Sequence, residues 1–198
     1  MSVFRWRFWD MLNSKIKLLR SQLAARHALF LCGMMVFLAA CSPRFDWREV
    51  HNLEGHFAIL FPAKPVSHSK EIHLGEQKFK MSMQAADVEA IYFAVAYVDV
   101  QSAGLAPEVV ASEQDKVLAA MKLGMLNNIH GQWQAQLPAF VPKQVVMARG
   151  QLENGRKLLL FARFIQHQDQ VVQVVMLGEE ARMKPEIVEM FFTSFQLK

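Results

Sequence analysis

The pattern of apolar and polar positions divides the chain into a leader and a folded part. Ala28 to Ala40 (ALFLCGMMVFLAA) runs thirteen residues without a charge. Further along, Phe57, Ile59 and Phe61 alternate with other positions, as in a strand, and Pro62 and Pro65 end it because proline cannot donate to a sheet ladder. Ser67–His73 reads as a second short strand, closed by Gly75. Gln77–Ala85 places Phe79, Met81 and Met83 on one face and Lys78, Lys80 and Ser82 on the other, the mark of a half-exposed antiparallel strand. Asp87-Val88-Glu89 makes a turn. Ala90–Val100 is apolar on both faces, with Ile91, Phe93, Val95 and Tyr97 opposite Tyr92, Ala94, Ala96 and Val98. Such a strand is central and covered on both sides, and its alanine face predicts a closely packed helix.

That helix is expected over Pro107 to His130. Proline suits the first turn and Glu108 complements the positive helix end. Val110, Val117, Leu118, Met121, Met125 and Ile129 form one stripe, Gly124 beside it would permit close approach to the sheet, and Gly131 is the stop. Gln132–Leu137 and Lys143–Gly150 read as strands separated by Pro138 and Pro142. The turn at Glu153-Asn154-Gly155-Arg156 and the paired runs Lys157–His167 and Gln170–Leu177 read as hairpins. A final helix from Glu179 or Lys184 to Phe195 would turn Ile187, Met190, Phe191 and Phe195 to the sheet. The order of about four strands, a long helix, three or four strands and a C-terminal helix gives an α+β fold class: a mainly antiparallel sheet flanked by two helices.

Charge sharpens the division. The 198 residues have a formal net charge of +4. Six of the 22 basic residues and only one of the 18 acidic ones lie in residues 1–40, so the remainder holds 16 basic and 17 acidic residues. The folded part is not basic, which argues against nucleic-acid binding by charge. The two cysteines, Cys32 and Cys41, both precede residue 42. Internal disulfides, thiol catalysis and cysteine metal sites are thereby excluded from the folded part.

A basic segment, a short apolar run and small residues before a cut site are the parts of an export signal. Thirteen apolar residues make a helix of about 20 Å, short of the ~30 Å hydrocarbon core of a bilayer. Leu38-Ala39-Ala40-Cys41 resembles the lipobox of bacterial lipoproteins. The resemblance implies diacylglyceryl transfer to the Cys41 sulfur, cleavage between Ala40 and Cys41, and acylation of the new amino terminus. Two or three acyl chains anchor a protein stably where one does not. With Ser42 after the cysteine, the lipoprotein sorting pattern implies the periplasmic face of the outer membrane, the inner membrane being the other address. Translation could start at Met1 or at Met11. The expected organisation is a signal peptide over 1–40, a lipidated cysteine and tether over 41–55, and a single periplasmic domain over 56–198.

The whole chain after the cysteine resembles small exported domains with the PsbP-like α/β/α sandwich. The resemblance is carried by Gly55-His56-Phe57 through Phe61-Pro62-Ala63-Lys64-Pro65, by Ile91–Val98 with the long helix behind it, and by Val188-Glu189-Met190-Phe191-Phe192-Thr193-Ser194-Phe195-Gln196-Leu197. It implies a binding or assembly factor and transfers no site residue.

Few side chains suggest chemistry. His51 with His56, and His68 with His73, are five residues apart, but neither pair has helical context or a cysteine, so surface histidines are favoured over a metal site. His130 reads as a cap at the helix end. Arg163 interrupts apolar Leu158–Ile165 and is either an outward strand residue or a charge for an anionic ligand. Glu113 and Asp115 are expected to solvate the long helix. Met81, Met83, Met121 and Met125 read as core filling, with a copper(I) path as the alternative. No nucleophile-elbow, zinc-protease or phosphate-loop motif is present. The expectation is a non-enzymatic lipoprotein with no cofactor, held to the membrane through Cys41 and binding an envelope protein partner. The alternative is a small-ligand carrier using the sheet–helix crevice, with Arg163 as an anion contact.

Overall fold

The computed structural model describes residues 44–74, 77–152 and 154–198, and the compact unit they form runs Arg44–Lys198. The leader, Ala40 and Cys41 lie outside the described residues.

Among the described residues, ten strands and two helices make an α+β fold. In chain order the strands are β1 (Arg48–Asn52), β2 (Phe57–Phe61), β3 (Val66–Leu74), β4 (Gln77–Val88), β5 (Ile91–Asp99), β6 (Gln132–Trp133), β7 (Val146–Gln151), β8 (Lys157–His167), β9 (Gln170–Glu179) and β10 (Gln196–Leu197). The helices are α1 (Pro107–Ile129) and α2 (Pro185–Thr193). A seven-stranded antiparallel sheet has the order β3-β4-β5-β9-β8-β7-β6, and a three-stranded sheet has the order β1-β2-β10.

The two faces of the large sheet differ in chemistry because side chains alternate along each strand. One face carries Phe93, Val95, Phe161, Val174 and Met176. It is closed by Ile187, Val188, Phe191 and Phe192 of α2 and by Phe57, Ile59 and Phe61 of β2. Phe191 packs edge-on against Phe93, ring centroids 5.1 Å apart, and against Phe61 at 5.8 Å. Edge-to-face pairs of this kind add about 0.5–1.5 kcal/mol each to the area they bury. The other face lies under α1. Val110, Val117 and Met121 meet Phe79, Val98 and Val171, and Ile129 meets Ala94, Leu160 and Val175. The alanine face of β5 thus receives the long helix.

Several expectations shift. Within residues 41–55, β1 marks where the chain joins the fold. Phe45 and Trp47 stack at 5.9 Å and both turn edge-on to Phe93, so burial of their rings fixes the chain from residue 45 onward. Asp46 N–H adds a 2.8 Å hydrogen bond to Pro62 O. The strand expected over Gln132–Leu137 keeps only Gln132–Trp133. β10 completes the small sheet beyond α2, with Gln196 opposite Ala58 and Leu197 opposite Phe57. Met190 does not face the sheet. A helix starting at Pro185 buries 187, 188, 191 and 192 as one stripe, which turns Met190 outward, 43% exposed.

The end of α1 also differs in mechanism. His130 takes the left-handed cap conformation, φ 48°, and its N–H bonds to Asn127 O. Gly131 is needed for space. A Cβ there would lie 2.7 Å from Arg149 O and from Ile129. Gly150 of β7 is tighter still, since its Cβ would lie 2.3 Å from Ile129 O. The helix terminus therefore rests directly on the backbone of β7.

Candidate functional site

Small residues open a gap where α1 crosses the centre of the sheet. On the helix, Ala120, Gly124 and Asn128 follow one another at intervals of four and share a face. Gly124 does not bring the helix closer to the sheet, as the sequence suggests. A Cβ there would meet nothing within 4 Å. On the sheet, Ala94 lies opposite Ala85 and two residues from Ala96, and these small side chains keep the floor low. The outcome is a crevice of about 550 Å³ between α1 and the sheet, within the roughly 300–1,000 Å³ usual for small-molecule sites.

Its floor crosses five strands, from His68 and Lys70 on β3, through Met81 and Met83, Tyr92 and Ala94, and Gln173 and Val175, to Leu160 on β8. Met121, Met125 and Ile129 complete the roof. The four methionines Met81, Met83, Met121 and Met125 therefore gather around one space. Met81, Met83 and Met125 are only partly buried, so they line an opening more than they fill a core. Unbranched thioether side chains re-pack around different shapes at low cost, which suits an adaptable binding surface.

The crevice has a few polar groups. Tyr92 Oη donates to Met83 Sδ at 3.5 Å. Burial, assisted by the negative charge of Asp87, pushes the Tyr92 phenol above its usual range. Gln173 projects from the central strand β9, and its Oε1 is buried with no hydrogen-bond partner. An unpaired buried acceptor costs about 1–3 kcal/mol. Sequence reasoning passes over Gln173; the signal was a lone amide between Val171, Val172, Val174 and Val175.

Arg163 does not join this site. Along β8, Leu160 and Phe164 belong to the α1 face, whereas Phe161 and Ile165 belong to the α2 face with Arg163 between them. Its guanidinium carbon lies 5.4 Å from the centroid of the Phe195 ring, and its Nε is buried without a partner. Burial lowers its affinity for a proton. The crevice and Arg163 thus stand on opposite sides of the sheet, separating the two features that the sequence reading joins.

The remaining residues resolve locally. His68 and His73 are an odd number of positions apart on β3, so they face opposite sides. Among the described residues no three histidine, cysteine, aspartate or glutamate side chains gather as a metal site would require. Glu113 does not solvate α1. It is buried and accepts a 2.7 Å bond from Lys116 Nζ, while exposed Asp115 accepts from Gln166 Nε2 at 2.9 Å. Buried Gln114 ties α1 to the β8–β9 turn through Nε2–H to Gln168 O, 2.7 Å. Among the described residues no helix is long and apolar enough to cross a membrane. No protein-family model matches the chain, and no curated protein matches it.

Proposed function

We propose that this chain is a lipid-anchored, non-enzymatic protein of the periplasmic face of the outer membrane whose domain holds a small, mainly apolar molecule between α1 and the sheet. The crevice carries the reading. Its walls are apolar and methionine-rich, and it is open to solvent at β3. An apolar gap of this size is surface that folding has not removed from water, so a ligand that fills it is favoured by the hydrophobic effect.

The leader and Leu38-Ala39-Ala40-Cys41 support the anchor and its address. Helices on opposite faces of the large sheet support the PsbP-like sandwich as the fold family. Binding of an envelope protein partner is the second reading. It calls for a broad apolar patch, yet exposed Leu123 of α1 and Met190 of α2 lie on helices that cover opposite faces of the large sheet.

The test is co-purification. Wild-type chain extracted from membranes should release a small apolar molecule on denaturation, and Gly124→Leu, which fills the crevice, should release little. Equal recovery from both would place the molecule elsewhere and reject the site.

A further inference from the structure

We propose that the crevice takes a single-chain amphiphile with an anionic head, its chain lying under α1 and its head at Lys70 and His68. The proposal rests on the ligand-binding reading above and adds the chemistry of the ligand.

Shape comes first. The floor runs from β3 across β4, β5 and β9 to β8. Four steps at 4.7–4.9 Å make a path of about 19 Å. A path of that length with apolar walls can take an extended chain. The cross-strand register sets lining residues side by side: His68 opposes Met83, Lys70 opposes Met81, Ala94 opposes Val175, and Leu177 opposes Leu160. Ala96 and Ala94 keep the middle of the track low.

Charge comes second. Lys70 and His68 are two residues apart on β3, so both project on the α1 side, opposite Met81 and Met83. Both are exposed and both line the mouth. Glu71 follows Lys70 directly on β3 and therefore faces the other side of the sheet. Among the described residues no carboxylate lines the crevice. The mouth thus offers the Lys70 cation, with the His68 ring next to it, beside an apolar track. An anionic head placed there keeps its charge at the solvent edge, where desolvation is small, and leaves the chain inside. A cationic head would meet Lys70 with like charge.

The experiment uses the full chain in phosphatidylcholine vesicles with a palmitate analogue carrying a diazirine midway along its chain. Irradiation followed by proteolysis and mass spectrometry locates the label. Labelling is expected within residues 81–94 and 120–129. Competitors with the same sixteen-carbon chain then separate the heads: palmitate, hexadecanol and hexadecyltrimethylammonium at equal membrane mole fraction. Palmitate should compete at least about tenfold better than the cationic chain. Lys70→Glu, an exposed change on an edge strand, should weaken palmitate about tenfold and leave hexadecanol unchanged. Palmitoyl lysophosphatidylglycerol distinguishes a lysolipid from a free acid, and preference for either supports an anionic amphiphile. Equal competition by all three heads would overturn the anionic head while leaving the crevice as a chain-binding site. Absence of label from both segments would overturn the crevice reading itself.

Discussion

Arg163 covers Phe195, its guanidinium carbon 5.4 Å from the ring centroid, on the sheet face away from the crevice. The contact ties β8 to the segment that follows α2. It contributes about 0.5–1 kcal/mol as a cation–π pair. Against that stands a buried Nε–H with no acceptor, costing about 1–3 kcal/mol. Arg163→Met keeps the cover and removes the orphan. Urea unfolding should show it equal to the wild type or more stable by up to about 2 kcal/mol. Arg163→Glu should lose stability. A clear loss in Arg163→Met would mean that the guanidinium is doing more than covering a ring.

Two glycines should respond to alanine with opposite signs. Gly150→Ala drives a methyl into Ile129 O, where its Cβ would stand 2.3 Å away, so α1 and β7 must separate. The expected loss is about 1–3 kcal/mol or more. Gly124→Ala adds a methyl to open space on a helix and should gain up to about 1 kcal/mol. Thermal or urea unfolding of the pair checks both. A stabilised Gly150→Ala would contradict the packing of the helix end on β7.

Alkaline pH should weaken the fold through two tyrosines. Burial raises the phenols of Tyr92 and Tyr97 above the ordinary value of 10.0, aided by Asp87 for Tyr92 and by Glu54 for Tyr97. Unfolded tyrosine then ionises first. The contribution is complete below about pH 10 and is lost as pH rises through the folded-state values. The urea midpoint should be flat approaching about pH 9 and fall beyond about pH 10. Tyr92→Phe with Tyr97→Phe should flatten the fall, although Tyr97→Phe also loses the 3.0 Å bond to Glu54 Oε2 at every pH. An unchanged slope in the double variant would assign the fall to other groups.

The anchor is tested separately from the domain. A radiolabelled fatty acid fed to producing cells should mark the wild type and leave Cys41→Ser unmarked. The mature wild-type chain should begin at Cys41. Equal labelling of both proteins would reject lipid attachment at that cysteine.

Much of the fold is legible in the sequence where one period dominates. Phe79, Met81 and Met83 announce β4, and the two-sided apolar run of β5 announces a central strand. β1 is hidden because Arg48-Glu49-Val50-His51-Asn52 carries almost no apolar alternation; its place is set by pairing with β2 and by Phe45 and Trp47 on Phe93. β10 is hidden for a related reason. Two residues show no period, and only the register with Ala58 and Phe57 makes them a strand. The crevice is legible only in pieces. The methionines and Gly124 stand out along the chain, but a glycine on a helix reads equally as close approach or as empty space. Which one holds depends on where β7 stops the helix end. Arg163 misleads because a charge in an apolar run reveals that something is unusual without revealing which face it occupies.

The unequal faces of the large sheet have a mechanical consequence. Beneath the strands, interlocked aromatic rings leave the sheet no room to bow. Above them, α1 is held at its far end by the seat of Ile129 on Gly150 and tied near its start by Gln114 to the β8–β9 turn. The helix is thus held at two points, Gln114 and Ile129, with the turns around Gly124 between them. A molecule bound as proposed would press on the middle of α1, around Gly124, so occupancy should register as a change in amide exchange along the central turns of α1 while the strands beneath stay silent.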